Sequence, residues 1–175
     1  MKKNFLRIDK IGGGLAGKIL RVDLTREKTW TEETENYARE WIGGRAINSW
    51  LLLHETDPRT KWSDPENPLI FGAGALVGTL TPGACRLSIE TKNVFSGGKG
   101  SANVGGHFAP EMKYAGFDHI VITGKSERPV YLFLHNGQAE IRDAGSIWGK
   151  TVFETEEWLD REFAPRRIRI AAIGP

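Results

Sequence analysis

An arginine, an asparagine and two adjacent glycines in the middle of the chain are the residues best suited to bind an anionic ligand. Arg86 follows the turn Gly83-Ala84-Cys85, where a guanidinium can donate two parallel hydrogen bonds to a phosphate. Asn103 precedes Gly105 and Gly106, and glycines let a main chain approach a ligand closely. The pattern predicts a helix directly behind them, whose first amide N–H groups would favour a phosphate-bearing cofactor.

Each of these residues also has a plain structural explanation, which the local sequence alone favours. Glycine pairs occur in ordinary strand–turn–helix connections, an arginine beside a turn is often only solvated, and asparagine is a frequent cap. Cys85 beside Arg86 could be a reactive thiol, but a small buried apolar residue is expected. His107 is expected to pack or cap at the helix start rather than to relay protons. The remaining histidines lack partners at metal-binding spacing and are expected to be structural: His54, His119 and His135.

The first half of the chain is predicted to form strands around one helical region. Residues 17 to 24 alternate between apolar and polar side chains, as in a strand with one wetter face. A helical region is predicted from Glu35 to about Glu55, broken at Gly43 and Gly44. Its packing face is expected to hold Ile47, Trp50, Leu51 and His54. An irregular connection, a buried strand, a second strand and a glycine-rich loop follow, over residues 57–68, 69–74, 85–91 and 92–103.

The second half is predicted to mix helices with antiparallel strands. After the helix between Gly105 and Gly116, HIVITG and ERPVYLFLH are expected to form an antiparallel region that turns at Asn136-Gly137 into QAEIRD. Thr151 and Glu154 form a capping-box pattern before a helix that Pro165 ends. RIRIAAIG is predicted to be a last strand. These elements define an α+β class with mixed, largely antiparallel β-sheets and a few packed helices.

Composition excludes several classes of function. The 175 residues are 39% hydrophobic, enough for one domain with its own core. A net charge of +2, without a basic run, predicts no nucleic-acid partner. The single cysteine excludes a disulfide framework and an iron–sulfur cluster held by several thiolates of this chain. No apolar run approaches the roughly 18 residues needed to cross a bilayer, so a cytoplasmic protein without a membrane partner is expected. The six scattered tryptophans are expected to be mostly core anchors.

From Gly17 onward the chain resembles the N-terminal domain of the aldehyde ferredoxin oxidoreductase family, the tungsten-pterin enzymes. The resemblance runs through GKILRVDLT, WIGGRAINSWLLL and DPENPLIFGAGALVGTLTPGACR, and continues through SANVGG, RPVYLFL, EIRDAGSIWGK and IAAIGP. These blocks cover about 90% of the chain in the family's order and spacing. The resemblance implies that residues 17–175 form this domain, with its α+β fold, behind an extension at residues 1–16.

The resemblance also implies a cofactor and a role for each candidate residue. Arg86 would contact a bis-pterin dithiolene cofactor of tungsten or molybdenum, and Gly105 and Gly106 would line its cradle. The main-chain carbonyl of Asn103 would bind a magnesium ion that bridges the phosphates of the two pterins. A carbonyl oxygen is a hard ligand, which suits this ion. No residue of this chain is expected to act as acid, base or nucleophile, because the metal and its cofactor carry the redox chemistry.

The resemblance implies a reaction that this chain would not perform alone. An aldehyde would be oxidised to a carboxylic acid, and electrons would pass through a four-iron cluster to ferredoxin. The cluster, the substrate channel and two helical domains are expected in a further part of the protein or in a partner subunit. The isolated chain is expected to be inactive, and either to self-associate as a homo-oligomer or to depend on a partner. The alternatives are a non-catalytic structural or pterin-carrier module and a subunit of a related enzyme with another substrate. Two segments of the loop near the pterin depart from the family's pattern: Asn93-Val94-Phe95 replaces a Ser-Pro turn, and residues 96–100 replace a Leu-Thr-Gly pattern.

Overall fold

The computed structural model describes residues 13–175, and this part of the chain contains eight strands and four helices. The strands are β1 (Lys18–Asp23), β2 (Lys28–Glu33), β3 (Leu69–Ala73), β4 (Leu87–Lys92), β5 (Lys99–Val104), β6 (His119–Thr123), β7 (Val130–His135) and β8 (Gln138–Asp143). The helices are α1 (Glu35–Trp41), α2 (Arg45–Glu55), α3 (Phe108–Tyr114) and α4 (Val152–Phe163). The predicted α+β class with mixed, largely antiparallel sheets is confirmed.

Six strands form the central sheet, in the order β2-β1-β6-β3-β4-β5. All neighbouring pairs are antiparallel except β1 and β6, which run parallel. β7 and β8 form a separate two-stranded hairpin that turns at Asn136 and Gly137, as predicted, with positive φ angles of 45° and 77°. Since β6 pairs with β1 and β3 in the larger sheet, the predicted antiparallel continuity from β6 into the hairpin is wrong.

Helices and the hairpin cover the two faces of the central sheet. On one face, α1 and α2 pack against Ile19, Ile70 and Val121 through the buried side chains Ile47 and Leu51. On the other face, a larger cluster combines sheet residues with α3, Phe117 and the apolar side of the β7–β8 hairpin. A small third cluster fixes α4 to the end of the hairpin through Ala144, Ile147 and Leu159. The central sheet is therefore the middle layer of the domain, and the loops that join its strands lie at its two ends.

The break in the first helical region lies where it was predicted. Ile42 and Gly44 have φ angles of 63° and 57°, which end α1 and begin α2. The predicted packing face is rotated, because Ile47, Asn48, Leu51 and Leu52 are the buried residues of α2 while His54 is exposed. The capping box of α4 is confirmed: Thr151 Oγ1 accepts a hydrogen bond from the Glu154 amide, and the Glu154 carboxylate accepts one from the Thr151 amide.

Three other predictions are wrong. Residues 99–103, predicted to be loop, belong to the edge strand β5, because pairing with β4 supplies the hydrogen bonds that their composition does not predict. RIRIAAIG has no strand partner and lies outside any helix or strand. Most tryptophans are not core anchors, since four of the six are exposed by 40% or more: Trp30, Trp41, Trp62 and Trp148.

Candidate cofactor-binding site

The register of the sheet brings the predicted site residues to one end of it. Leu87 at the start of β4 pairs with Val104 at the end of β5, so Arg86 and Gly105 are the next residues beyond that pair. Ser88 pairs with Asn103, one step inside the sheet. Arg86, Asn103, Gly105 and Gly106 are separated by up to 20 positions in sequence, yet they share one corner of the fold.

This corner is open. β5 is an edge strand, and Asn103, Gly105 and Gly106 are all exposed, as is Arg86. A Cβ built on Gly105 or on Gly106 would meet no atom within 4 Å among the described residues, so space for a ligand lies directly against the main chain. Gly106 has φ +102°, a conformation that L side chains rarely adopt, whereas Gly105 has no such requirement.

The side chain of Asn103 does not cap the following helix. Its Oδ1 accepts a hydrogen bond from Ser88 Oγ at 3.1 Å, because Asn103 lies within β5 rather than at a helix start. His107 occupies the N-cap position of α3 but makes no capping hydrogen bond, and its side chain is exposed. The predicted packing or capping of His107 is therefore not found. α3 has only seven residues, and Pro110 in its first turn has no amide N–H. The start of this helix therefore adds little to the binding of an anion beyond what the main chain of the two glycines offers.

The cysteine and the three other histidines singled out from the sequence differ in their burial and in their partners. Cys85 is half-buried rather than buried. His119 is fully buried and contacts Asn48, whereas His135 bonds to Glu140 at 3.0 Å and His54 to the carbonyl of Trp50 at 2.8 Å. Within residues 13–175, histidine, cysteine and carboxylate side chains form no group of three or more that could hold a metal ion.

Several residues at the same end of the sheet were missed by the sequence reasoning. Gly72 pairs with His119 and Ala73 with Leu87, so the loop after β3 leaves the sheet beside Arg86. The start of α2 reaches this loop, because a Cβ on Gly44 would lie 3.2 Å from Cα of Gly74. The glycines at positions 14, 43, 44, 72 and 74 are the signal that could have indicated these close approaches.

The residues at this corner fit a phosphate-bearing ligand. The exposed guanidinium of Arg86 offers charge and paired donors, the two glycines offer an unobstructed main chain, and Asn103 offers a carbonyl oxygen. The loop between β3 and β4, which leads to Arg86, carries exposed apolar side chains: Leu76 is 61% exposed and Leu80 fully exposed. Such a surface is typical of a site that another layer of protein covers.

This architecture is an α+β domain with an open, glycine-containing corner at one end of its central sheet. A family model described as "Aldehyde ferredoxin oxidoreductase, N-terminal domain" matches residues 19–175. The chain therefore belongs to the aldehyde ferredoxin oxidoreductase family, in which it corresponds to the N-terminal domain.

Relatives and a solved structure agree with this assignment. The chain is 46% identical to the tungsten-containing aldehyde ferredoxin oxidoreductase of Pyrococcus abyssi over 164 residues, which are 93% of this chain and 27% of that protein. It is 39% identical to the WOR-like subunit of an aliphatic sulfonate oxidoreductase of Pyrococcus furiosus, over 83% of this chain and 24% of that subunit. The active-site complex BamBC of benzoyl coenzyme A reductase, solved with 1,5-dienoyl-CoA, matches with a TM-score of 0.82 and 37% identity. That match covers 85% of this chain and 23% of the other.

The chain spans about a quarter of the length of the curated relatives it matches, 27% of the first. No helix among the described residues is both long and apolar enough to cross a membrane.

Proposed function

We propose that this chain is the part of a tungsten-containing oxidoreductase that binds the pterin cofactor. The observation that carries the proposal is the convergence of Arg86, Asn103, Gly105 and Gly106 on one open corner, in a chain that belongs to this family. The Arg86 guanidinium would bind a pterin phosphate or a ring carbonyl, and Gly105 and Gly106 would let the cofactor lie against the main chain. The carbonyl of Asn103 would bind a magnesium ion between phosphates.

When bound, a bis-pterin dithiolene complex of tungsten or molybdenum supplies the redox chemistry. This chain's own residues bind and orient that group, and none of them serves as acid, base or nucleophile. The proposed reaction converts an aldehyde and water into a carboxylic acid, two protons and two electrons. The electrons would leave through a four-iron cluster to ferredoxin, and both the cluster and the substrate channel would lie in further helical domains or in a partner subunit. We propose a cytoplasmic location.

The experiment is metal and pterin analysis of the full chain, purified anaerobically alone and with a candidate partner subunit. We expect tungsten or molybdenum near one per complex, and a loss of metal and pterin in Arg86→Ala and in Gly105→Val. Gly105→Val is a sharp probe because the new side chain would meet only the open space of the site, and the backbone conformation tolerates it.

Matched controls separate ligand loss from misfolding. Gly98→Val places the same side chain in the β4–β5 connection, at the opposite end of β5 from Gly105, where a Cβ would make only an ordinary 3.5 Å contact with Ser96 Oγ. Arg26→Ala removes an exposed guanidinium from the turn after β1, at the opposite end of the sheet. Both controls should keep the metal. Normal metal loading in Arg86→Ala and Gly105→Val would show that the cofactor binds elsewhere.

A related enzyme with another substrate is the second candidate, and the similarity to the benzoyl coenzyme A reductase complex favours it. The described residues at the corner bind the cofactor in either case, so the substrate is decided by the rest of the enzyme. Assays of the assembled protein with an aldehyde and with an aromatic CoA thioester distinguish the two. Metal and pterin bound without turnover of either substrate, in the presence of the partner, would favour a structural or pterin-carrier module.

A further inference from the structure

A buried ion pair lies at the same end of the sheet as the candidate site. Lys113 of α3 and Asp118, the residue before β6, are 8% and 0% exposed, and Nζ lies 3.5 Å from Oδ1. Burial lowers the pKa of Lys113, while the neighbouring Asp118 opposes that shift. Burying charges of this kind costs folding free energy unless hydrogen bonds satisfy them. The other hydrogen-bond partners of Lys113 and Asp118 therefore show which segments the pair holds together.

Apart from the Thr34 hydroxyl, which donates to Asp118 Oδ2 at 2.9 Å, the side-chain hydrogen-bond partners of the pair are main-chain groups of two glycine-containing segments. Lys113 Nζ donates to the carbonyl oxygens of Gly14 and of Gly74, the latter at 3.1 Å, and lies 3.4 Å from that of Ala75. On the other side of the pair, the carboxylate of Asp118 accepts hydrogen bonds from the amides of Ala16 and Gly17, at 2.9 and 2.7 Å. The pair thus links residues 14–17 to the start of the loop that runs from Gly74 to Arg86.

The two segments also contact each other directly. Gly14 has φ +82°, and a Cβ built on it would overlap the carbonyl oxygen of Ala75. Gly13, the residue before it, has no such neighbour within 4 Å. Only glycine therefore fits at position 14, because the segment crosses the loop after β3 at main-chain distance.

The geometry points to Lys113 and Asp118 as positioning residues of the cofactor site. They hold residues 14–17 against the loop between Gly74 and Arg86, so that the main chain leading to Arg86 is fixed before a ligand binds. Outer residues that orient ligand-contacting groups commonly change affinity by about 10- to 100-fold when they are replaced. This inference rests on the proposed function, since the ligand it concerns is the pterin cofactor.

Four variants of the full chain, purified anaerobically with its native partners, test the inference. Lys113→Met removes the ammonium group, whereas Gly14→Ala disturbs the contact with Ala75 and keeps both charged side chains of the pair. Gly13→Ala is the matched control for Gly14→Ala. Leu159→Ala is the control for lost stability alone, because Leu159 is buried in the separate cluster beneath α4. The readouts are hydrogen–deuterium exchange of residues 74–86 and the pterin released per chain by oxidation.

We expect Lys113→Met and Gly14→Ala to exchange about 10-fold faster in residues 74–86 and to retain about 10-fold less pterin. Gly13→Ala and Leu159→Ala should retain their pterin. Unchanged exchange in Gly14→Ala, or an equal pterin loss in Leu159→Ala, overturns the positioning role. A third outcome is that the unsubstituted chain contains pterin and that Gly14→Ala retains it although residues 74–86 exchange faster. This outcome overturns the positioning role but not the proposed function. An unsubstituted chain without pterin overturns the proposed function instead.

Discussion

Ser88 on β4 donates a hydrogen bond from Oγ to Oδ1 of Asn103 on β5, at 3.1 Å, across the cross-strand pair that the two residues form. This bond attaches the side chain of an exposed edge-strand residue to the interior neighbour strand. It thereby helps to hold the main-chain carbonyl of Asn103, which we propose as a magnesium ligand. The edge strand has a partner on only one side, so each such anchor matters for the geometry of the corner.

Ser88→Ala is expected to reduce magnesium and pterin retention while changing stability little. Loss of one partly exposed hydrogen bond costs about 1 kcal/mol or less of the free energy of unfolding, but the end of β5 loses its side-chain anchor. Retention after gel filtration is the measurement, and Ser146→Ala, at an exposed position in the turns before α4, is the control. Equal retention in the two variants would contradict the anchoring role.

Asn48 of α2 is expected to be the most important polar residue for stability. Its Nδ2 donates to the Ser88 carbonyl at 3.1 Å and to the buried carboxylate of Glu90, and its Oδ1 accepts from His119 Nδ1 at 2.7 Å. Asn48→Ala would leave the other polar groups buried with fewer partners, at a cost of about 3 kcal/mol or more in the free energy of unfolding. Urea unfolding measures this loss. The control is Leu53→Ala, at a 75% exposed position of the same helix, whose free energy of unfolding should lie within about 0.5 kcal/mol of that of the unsubstituted protein. An equally small effect of Asn48→Ala would refute the prediction.

His119 is expected to make stability depend on pH in the acidic range. Its burial lowers the pKa to about 4 from the ordinary 6.5, although nearby Asp118 opposes the shift. The unfolded chain therefore takes up a proton on His119 below about pH 6.5 while the folded chain does not, so stability falls as the pH drops from 6.5 to 4 and levels off below. Between pH 6.5 and 4 the free energy of unfolding falls by about 3 kcal/mol in total.

The measurement is the free energy of unfolding at several pH values for the unsubstituted protein and for His119→Phe. The variant should be less stable near neutral pH but should show a shallower slope between pH 6.5 and 4. His107→Gln, which replaces an exposed histidine, should keep the original slope. Identical slopes in His119→Phe and the unsubstituted protein would assign the pH dependence to other groups.

The elements that local sequence determines were predicted well, and those that depend on distant partners were not. The strand at residues 17–24, the helix break at Gly43-Gly44 and the capping box of Thr151 depend on neighbouring residues and were found in place. β5 is a strand only because β4 lies beside it. The sequence predicts the wrong neighbour for β6, since the turn that follows suggests a hairpin, while its actual partners β1 and β3 lie about a hundred and about fifty residues away.

The candidate site shows the same division. The motif around Asn103 and Arg86 could be found in the sequence, but their proximity depends on the register between β4 and β5. The buried polar residues could not be assigned partners, because Asn48, Glu90 and His119 come from three distant segments. A polar residue inside an otherwise apolar helical face, as Asn48 is, was the only local indication of that network.

Gly72 on β3 is expected to be irreplaceable, because its missing side chain makes room for this network. A Cβ at this position would overlap Oδ1 of Asn48 and lie 2.7 Å from Nδ1 of His119. Gly72→Ala should therefore displace both side chains and cost about 1–3 kcal/mol in the free energy of unfolding, as overpacked cores do. Gly74→Ala is the matched control, since a Cβ there meets nothing within 4 Å and the backbone needs no positive φ. Chemical denaturation of both variants tests the prediction, and comparable stability of the two would show that α2 can move away from the sheet without loss.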